Sequence, residues 1–285
     1  MNLFGSNFNL TMEEYFTQLE SIGRMTKLAA RTNAAFSAGE IGRKRDNLMR
    51  ALAAVLEEST DVSRARAAPC EHHASIVERL APQDTIISFN YDCVMDHALR
   101  KTGAKKWSAK YGYCLPSPRR IVGHENWSAP NPPNQATQSI YLLKLHGSIN
   151  WQLPETADGE VRLKERLYRQ RGTPRFTIIP PEWAKNIDAD PTFSVLWKYA
   201  ERAIRNAKTI TLIGFSFTPT DLHVESLFRV ALAKTSGLRK LVIVNPTQAH
   251  RARIRNVFSK PLETGCVVQQ YETLDDYASQ IVHAW

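Results

Sequence analysis

Four short stretches of the 285-residue chain place reactive side chains directly behind apolar runs. "SFNYD" supplies Asn90 and Asp92, and "KLHGS" supplies His146, Gly147 and Ser148. "IGFSF" supplies Gly214 and Ser216, and "IVNP" supplies Asn245. An imidazole moves protons near neutral pH. Amides and hydroxyls orient a polar ligand, and glycines let it approach the backbone. In open parallel sheets ligands sit beyond the carboxyl ends of the strands. The four stretches therefore predict one crevice holding an acid, an imidazole, two amides, hydroxyls and close-approach glycines.

Each residue also has a structural explanation. Asp92 is well placed to cap the helix behind it. Gly214 can serve a tight turn, and Asn245 before Pro246 is a common turn pair. Taken one at a time these explanations are preferred for every residue except His146. The joint placement of all four stretches favours a site.

Hydrophobic period predicts the scaffold behind these residues. Residues 10–58 read as helical, with Thr11 and Glu14 forming a capping-box pattern and Leu48, Leu52, Val55 and Leu56 at helical spacing. A further helix ends before Pro82. Strands are expected at 84–90, 139–147, 175–180, 208–217, 238–246 and 265–271, most with a helix behind them. This alternation predicts an α/β fold: a Rossmann-like, doubly wound, mostly parallel sheet with helices on both faces and a helical N-terminal subdomain. The expected division is a helical portion over 1–83 and an α/β domain over 84–285, with insertions near 113–138 and 150–173.

Composition narrows the function classes. A formal charge of +9 and a pI near 9.4 invite a nucleic-acid reading, but Lys and Arg are spread along the chain. The densest cluster, "GRKRDNLMR", reads as the solvated face of a helix. Nucleic acid is not expected as a direct ligand, whereas phosphate-bearing partners suit the charge. Cys70, Cys93, Cys114 and Cys266 form no CxxC pair, which excludes a zinc ribbon or a disulfide scaffold and fits a reducing cytoplasm. No apolar run suits a membrane span. Asp221, His223 and Glu225 could suggest a metal, but on a helix His223 would point away from the other two, so no metal is expected. His72, His73 and His250 read as surface residues, and Trp151, Trp183 and Trp197 as packing.

"SFNYD", "KLHGSINW", "LIGFSF" and "IVNP", in this order and at these separations, resemble the sirtuin-like NAD-consuming family. The match is closest to its bacterial branch of NAD-hydrolysing defence proteins. It runs from about Asp84 to Pro246, and "LHGSINW" with "GFSFTPTDLH" is its most specific part. The resemblance implies NAD as substrate, with Asn90 holding the nicotinamide end and Asp92 holding the carboxamide or orienting Asn90. It further implies His146 acting on a ribose hydroxyl or on water, Gly147 and Ser148 beside it, Gly214 and Ser216 along the ribose-phosphate path, and Asn245 at the adenosine half. Breaking an N-glycosidic bond to a cationic nicotinamide needs an orienting amide, a proton acceptor and exclusion of stray water.

One family feature is missing. The strand and Gly-Ala-Gly-x-Ser turn that cradle the pyrophosphate have no counterpart, since "NLFGSN" offers only Gly5 and Ser6. Residues 1–20 resemble instead the segment behind that turn. A truncated or mis-set start is the first expectation; a natural short form and a remnant that no longer binds NAD are the others. A homo-oligomer or a regulatory partner protein would suit an enzyme that drains NAD. The rival from another class is a non-catalytic nucleotide-binding or regulatory module.

Overall fold

The computed structural model describes residues 12–28, 38–60, 68–115, 120–153, 159–165, 177–179, 191–218, 221–235 and 237–282. The chain opens with α1 (Met12–Leu28), α2 (Ala38–Thr60) and α3 (Glu71–Arg79), then β1 (Thr85–Ser88), α4 (Val94–Thr102) and α5 (Ala109–Gly112). Short strands come next: β2 (Ile121–Val122), β3 (Tyr141–Lys144), β4 (Gly147–Ser148), β5 (Trp151–Gln152), β6 (Val161–Leu163) and β7 (Thr177–Ile178). The last part alternates more regularly through α6 (Pro191–Asn206), β8 (Thr209–Ile213), α7 (Leu222–Ala233), β9 (Lys240–Val244) and α8 (Gln248–Val257). It closes with α9 (Ser259–Glu263), β10 (Val267–Tyr271) and α10 (Leu274–Val282). Residues 1–11, with the expected capping Thr11 and the Gly5–Ser6 pair, lie outside the described residues, as does Trp183.

The parallel pairing expected of the apolar runs is present. β1 and β3 pair from Thr85 opposite Tyr141 to Ser88 opposite Lys144. β9 pairs in parallel with β8 on one side and β10 on the other. Leu241, Val242, Ile243 and Val244 of β9 are all buried, as a central strand covered on both faces requires. Burial of each such side chain contributes about 1.5–3 kcal/mol. Helix α6 shows the complementary period, burying Phe193, Leu196, Trp197, Ala200 and Ile204 along one stripe.

Among the described residues the parallel strands do not join into one continuous sheet. The strands at 85–88, 141–144, 209–213, 240–244 and 267–271 fall into two parallel sheets, β1–β3 and β10–β9–β8, and a further parallel pair, β2–β6, lies in a separate small sheet. Between β1–β3 and β10–β9–β8 runs a cleft of about 1770 Å³, lined by Thr85–Phe89 on one side and Thr209–Phe215 on the other. Among the described residues no strand pairs with the cleft-side edge of β1 or β8.

The connecting segments hold further differences. The run at 139–147 leaves its strand at Lys144, and Leu145–His146 form a turn. The strand expected at 175–180 survives as β7, but it pairs antiparallel with β4 rather than joining the parallel strands. The expected insertions contribute the small sheet β2–β6–β5. In α2, Met49 and Ala53 face inward while Val55 is 62% exposed, because the buried stripe lies one position away from the expected one. Phe16 of α1 and Met49 of α2 pack with Ile178 and Tyr91, which seats the first two helices beside the loop that carries His146.

Candidate functional site

His146 occupies the two-residue turn after β3 and is 3% exposed. The turn is tied down on both sides: Trp197 Nε1 donates to the Leu145 carbonyl at 3.2 Å, and the Ile179 amide donates to the His146 carbonyl at 2.9 Å. Its ring is surrounded by Phe89 at 5.3 Å, Tyr91 at 6.3 Å, Trp197 at 6.4 Å and His223 at 5.3 Å between centroids. His146 Nε2 lies 3.1 Å from His223 Nε2.

Beneath this turn sits a buried polar network. Lys144 Nζ pairs with Asp96 Oδ2 at 3.0 Å, with both side chains 1% exposed. The same ammonium donates to the Asp92 carbonyl, and the Tyr113 hydroxyl donates to Asp96 Oδ1. Burial is the largest single influence and pulls the Lys144 ammonium towards neutrality, but the nearby Asp96, Cys93 and Asp92 together outweigh it and hold Lys144 above its ordinary value. The network fastens the end of β3 to the start of α4, so the Asn90–Asp92 loop and the His146 turn are held together.

Three of the expected residues meet in the cleft. Asn90, which is exposed, Asp92 and Gly214 all line it. Asp92 Oδ1 also accepts the Val94 amide at 2.9 Å, one residue ahead of Cys93, the N-cap of α4. Gly214 takes φ +68°, its amide donates to the Val244 carbonyl at 2.9 Å, and a Cβ there would meet nothing within 4 Å. The backbone turns sharply and faces open space.

The other five are placed elsewhere. His146, Gly147, Ser148, Ser216 and Asn245 are not among the residues lining the cleft. Gly147 has φ +82°, and a Cβ on it would come within 2.0 Å of the Thr177 carbonyl oxygen. Close approach of β7 and the positive φ are physical reasons for this glycine. Ser148 is fully buried, with its Oγ 3.8 Å from Cys93 Sγ. Asn245 is buried; its amide donates to the Phe215 carbonyl at 3.2 Å and its Oδ1 accepts the Thr247 amide at 2.9 Å. It clasps the loops that follow β8 and β9. Ser216 is half-buried on the loop after β8.

Phe89 belongs to both regions. It lines the cleft, its ring packs 4.9 Å from Phe215, and its other neighbour is His146. The two phenyl rings thus form the wall between the cleft and the imidazole.

Several residues were not legible as site residues. His223 comes to His146 because α7 begins at Leu222, leaving Asp221 outside the helix. The helical-face argument that separated Asp221 from His223 does not apply, and Asp221 Oδ1 stands 3.9 Å from His223 Nε2. Trp197 packs in the buried core as expected, and its ring also lies 5.3 Å from His223 at a tilt of 49°. His73, expected on the surface, is half-buried and lines the cleft near Asp92. Burial lowers its pKa below the ordinary value, partly offset by the Asp92 charge. The signal available for His73 was its place one turn into a helix that precedes a ligand-bearing strand, and by itself that is weak.

No helix among the described residues is long and apolar enough to cross a membrane. A family model described as a SIR2-like domain matches residues 84–261. No curated protein matches the chain.

Proposed function

The chain belongs to the SIR2-like family, and from that premise we propose that it binds NAD in the cleft between its two parallel sheets and hydrolyses it to nicotinamide and ADP-ribose. The carrying observation is that Asn90, Asp92 and Gly214, which follow two strands far apart in sequence, line the same cleft. In this reading the Asn90 amide orients the nicotinamide end and Asp92 supports that loop. The bare backbone at Gly214 admits the ribose-phosphate path. The N-glycosidic bond breaks with its electron pair going to the nicotinamide nitrogen; water adds at the anomeric carbon, and its proton leaves through His146. The products are nicotinamide, ADP-ribose and one proton. The buried aromatic surround of His146 suits a step that must exclude other water.

The reading calls for a phosphate cradle. β1 and β8 present four- and five-residue edges to the cleft, and a strand laid between them and ending in a glycine-rich turn would supply the backbone donors. By the resemblance to bacterial NAD-hydrolysing defence proteins, the proposed setting is defence against phage.

A second reading, a nucleotide-binding module without turnover, is favoured by one observation: His146 stands behind Phe89, with its Nε2 against His223. The two separate in one experiment. Nicotinamide release from NAD is followed for the chain and for His146→Ala. The hydrolase reading expects release that falls by about a hundredfold or more in His146→Ala. NAD binding without release from either folded form establishes the binding module, and absence of both overturns the nucleotide reading.

A further inference from the structure

His146, Asp221 and His223 each offer one ligand atom, and these atoms all lie within 4.8 Å of one another. The imidazole Nε2 atoms are 3.1 Å apart, and Asp221 Oδ1 is 3.9 Å from His223 Nε2. Two nitrogens held tetrahedrally at about 2.0–2.1 Å from a zinc ion are about 3.3–3.4 Å apart. The rings are therefore within a few tenths of an ångström of ligating separation, while the carboxylate needs to close by roughly half an ångström on His223 and by up to roughly 1.4 Å on His146.

The surroundings orient these groups. The Leu145–His146 turn is held by Trp197 Nε1 and the Ile179 amide. Thr218 Oγ1 donates to Asp221 Oδ2 at 3.3 Å, which turns Oδ1 towards His223 in the manner of an outer partner in a metal site. Trp197 and Phe89 wall the cluster with apolar surface. A hydrogen bond between the rings accounts for their approach to each other. An ion pair with a protonated His223 accounts for the carboxylate, and one shared ion accounts for both approaches at once. Two imidazoles and one carboxylate suit zinc and its transition-metal neighbours better than magnesium or calcium.

We propose that His146, His223 and Asp221 form a site for a divalent transition metal of the zinc class, and that the bound ion occupies the His146 lone pair needed for proton transfer at Nε2. The site stands on geometry alone; its inhibitory effect rests on the hydrolase reading.

Zn²⁺ binding by equilibrium dialysis tests the site without reference to activity. Wild-type chain binds one ion that is lost, or weakened by at least about tenfold, in His146→Ala, His223→Ala and Asp221→Asn, the scale on which even outer partners of a zinc site count. His72→Ala, which removes an exposed imidazole, leaves binding unchanged. Thermal melts identify any variant that fails to fold. For such a variant, Co²⁺ bound to wild-type chain gives the answer through the visible band of a low-symmetry nitrogen–oxygen site. No ion on wild-type chain, or equal binding by all folded variants, overturns the site. NAD turnover with and without Zn²⁺ then tests the second half: wild-type turnover slows, and Asp221→Asn, relative to its own metal-free rate, does not. Turnover unaffected in loaded wild-type chain overturns the inhibition. Zinc binding with no turnover by any form keeps the site and removes the hydrolase.

Discussion

The rings of Phe89 and Phe215 meet at 4.9 Å between centroids, and through them the two parallel sheets touch where β1 and β8 end. Each residue lies just past the last paired position of its strand, so the contact marks the mouth of the cleft. Because Phe89 also packs against His146, one side chain sets both the closure of the sheets and the isolation of the imidazole.

Truncating that side chain opens the wall. Phe89→Ala is expected to speed modification of His146 by diethyl pyrocarbonate several-fold, read residue by residue by mass spectrometry, while His72 reacts as before. An unchanged His146 rate would show that the wall lies elsewhere.

The two site glycines with positive φ separate a packing role from a clearance role. Gly147→Ala meets the Thr177 carbonyl and is expected to cost upwards of about 3 kcal/mol in urea unfolding, combining backbone strain with a clash against a neighbouring strand. Gly214→Ala meets no atom within 4 Å and is expected to cost only the backbone conformational penalty, about 1–2 kcal/mol. Equal losses would contradict the assignment of Gly147 to β7 approach.

Alkaline pH should unfold the protein through the network under the site. Burial raises the Cys93 thiol above its ordinary 9.0 and the Tyr113 phenol well above 10.0, and against the pull of burial Asp96, Cys93 and Asp92 together hold Lys144 above 10.5. All three keep their protons longer when folded, so the unfolded chain binds fewer protons as pH rises. Their contribution is complete below about pH 9 and is lost progressively above it. Urea midpoints measured across that range are expected to fall, and Lys144→Met should remove the Lys144 component. The same substitution strands the Asp96 charge and is expected to cost about 3–5 kcal/mol at neutral pH. A flat alkaline profile in the wild-type chain would contradict the network.

Local order was legible in the sequence where one face of a short element is buried. The Val-Ile-Leu run of β9, the apolar stripe of α6 and the break of β8 at Gly214 each depend on neighbours a few residues away, and each formed as expected. Asn90, Asp92 and Gly214 could be placed at strand ends for the same reason. Asp92 accepts the Val94 amide just ahead of α4, a contact an Asx side chain makes with the next amides alone.

Contacts whose partners lie far away in the chain were settled by folding alone. His146 and His223 are separated by 77 residues, and their meeting depends on where α7 starts relative to the turn after β3. One reason for Gly147 lies in β7, and the charge on Lys144 depends on a carboxylate 48 residues upstream. The division of the parallel strands into separate sheets likewise depends on which edges find partners. Periodicity reports that a residue is buried; only the folded chain determines against what, because that choice is made by packing and hydrogen bonding between elements whose sequences carry no record of each other.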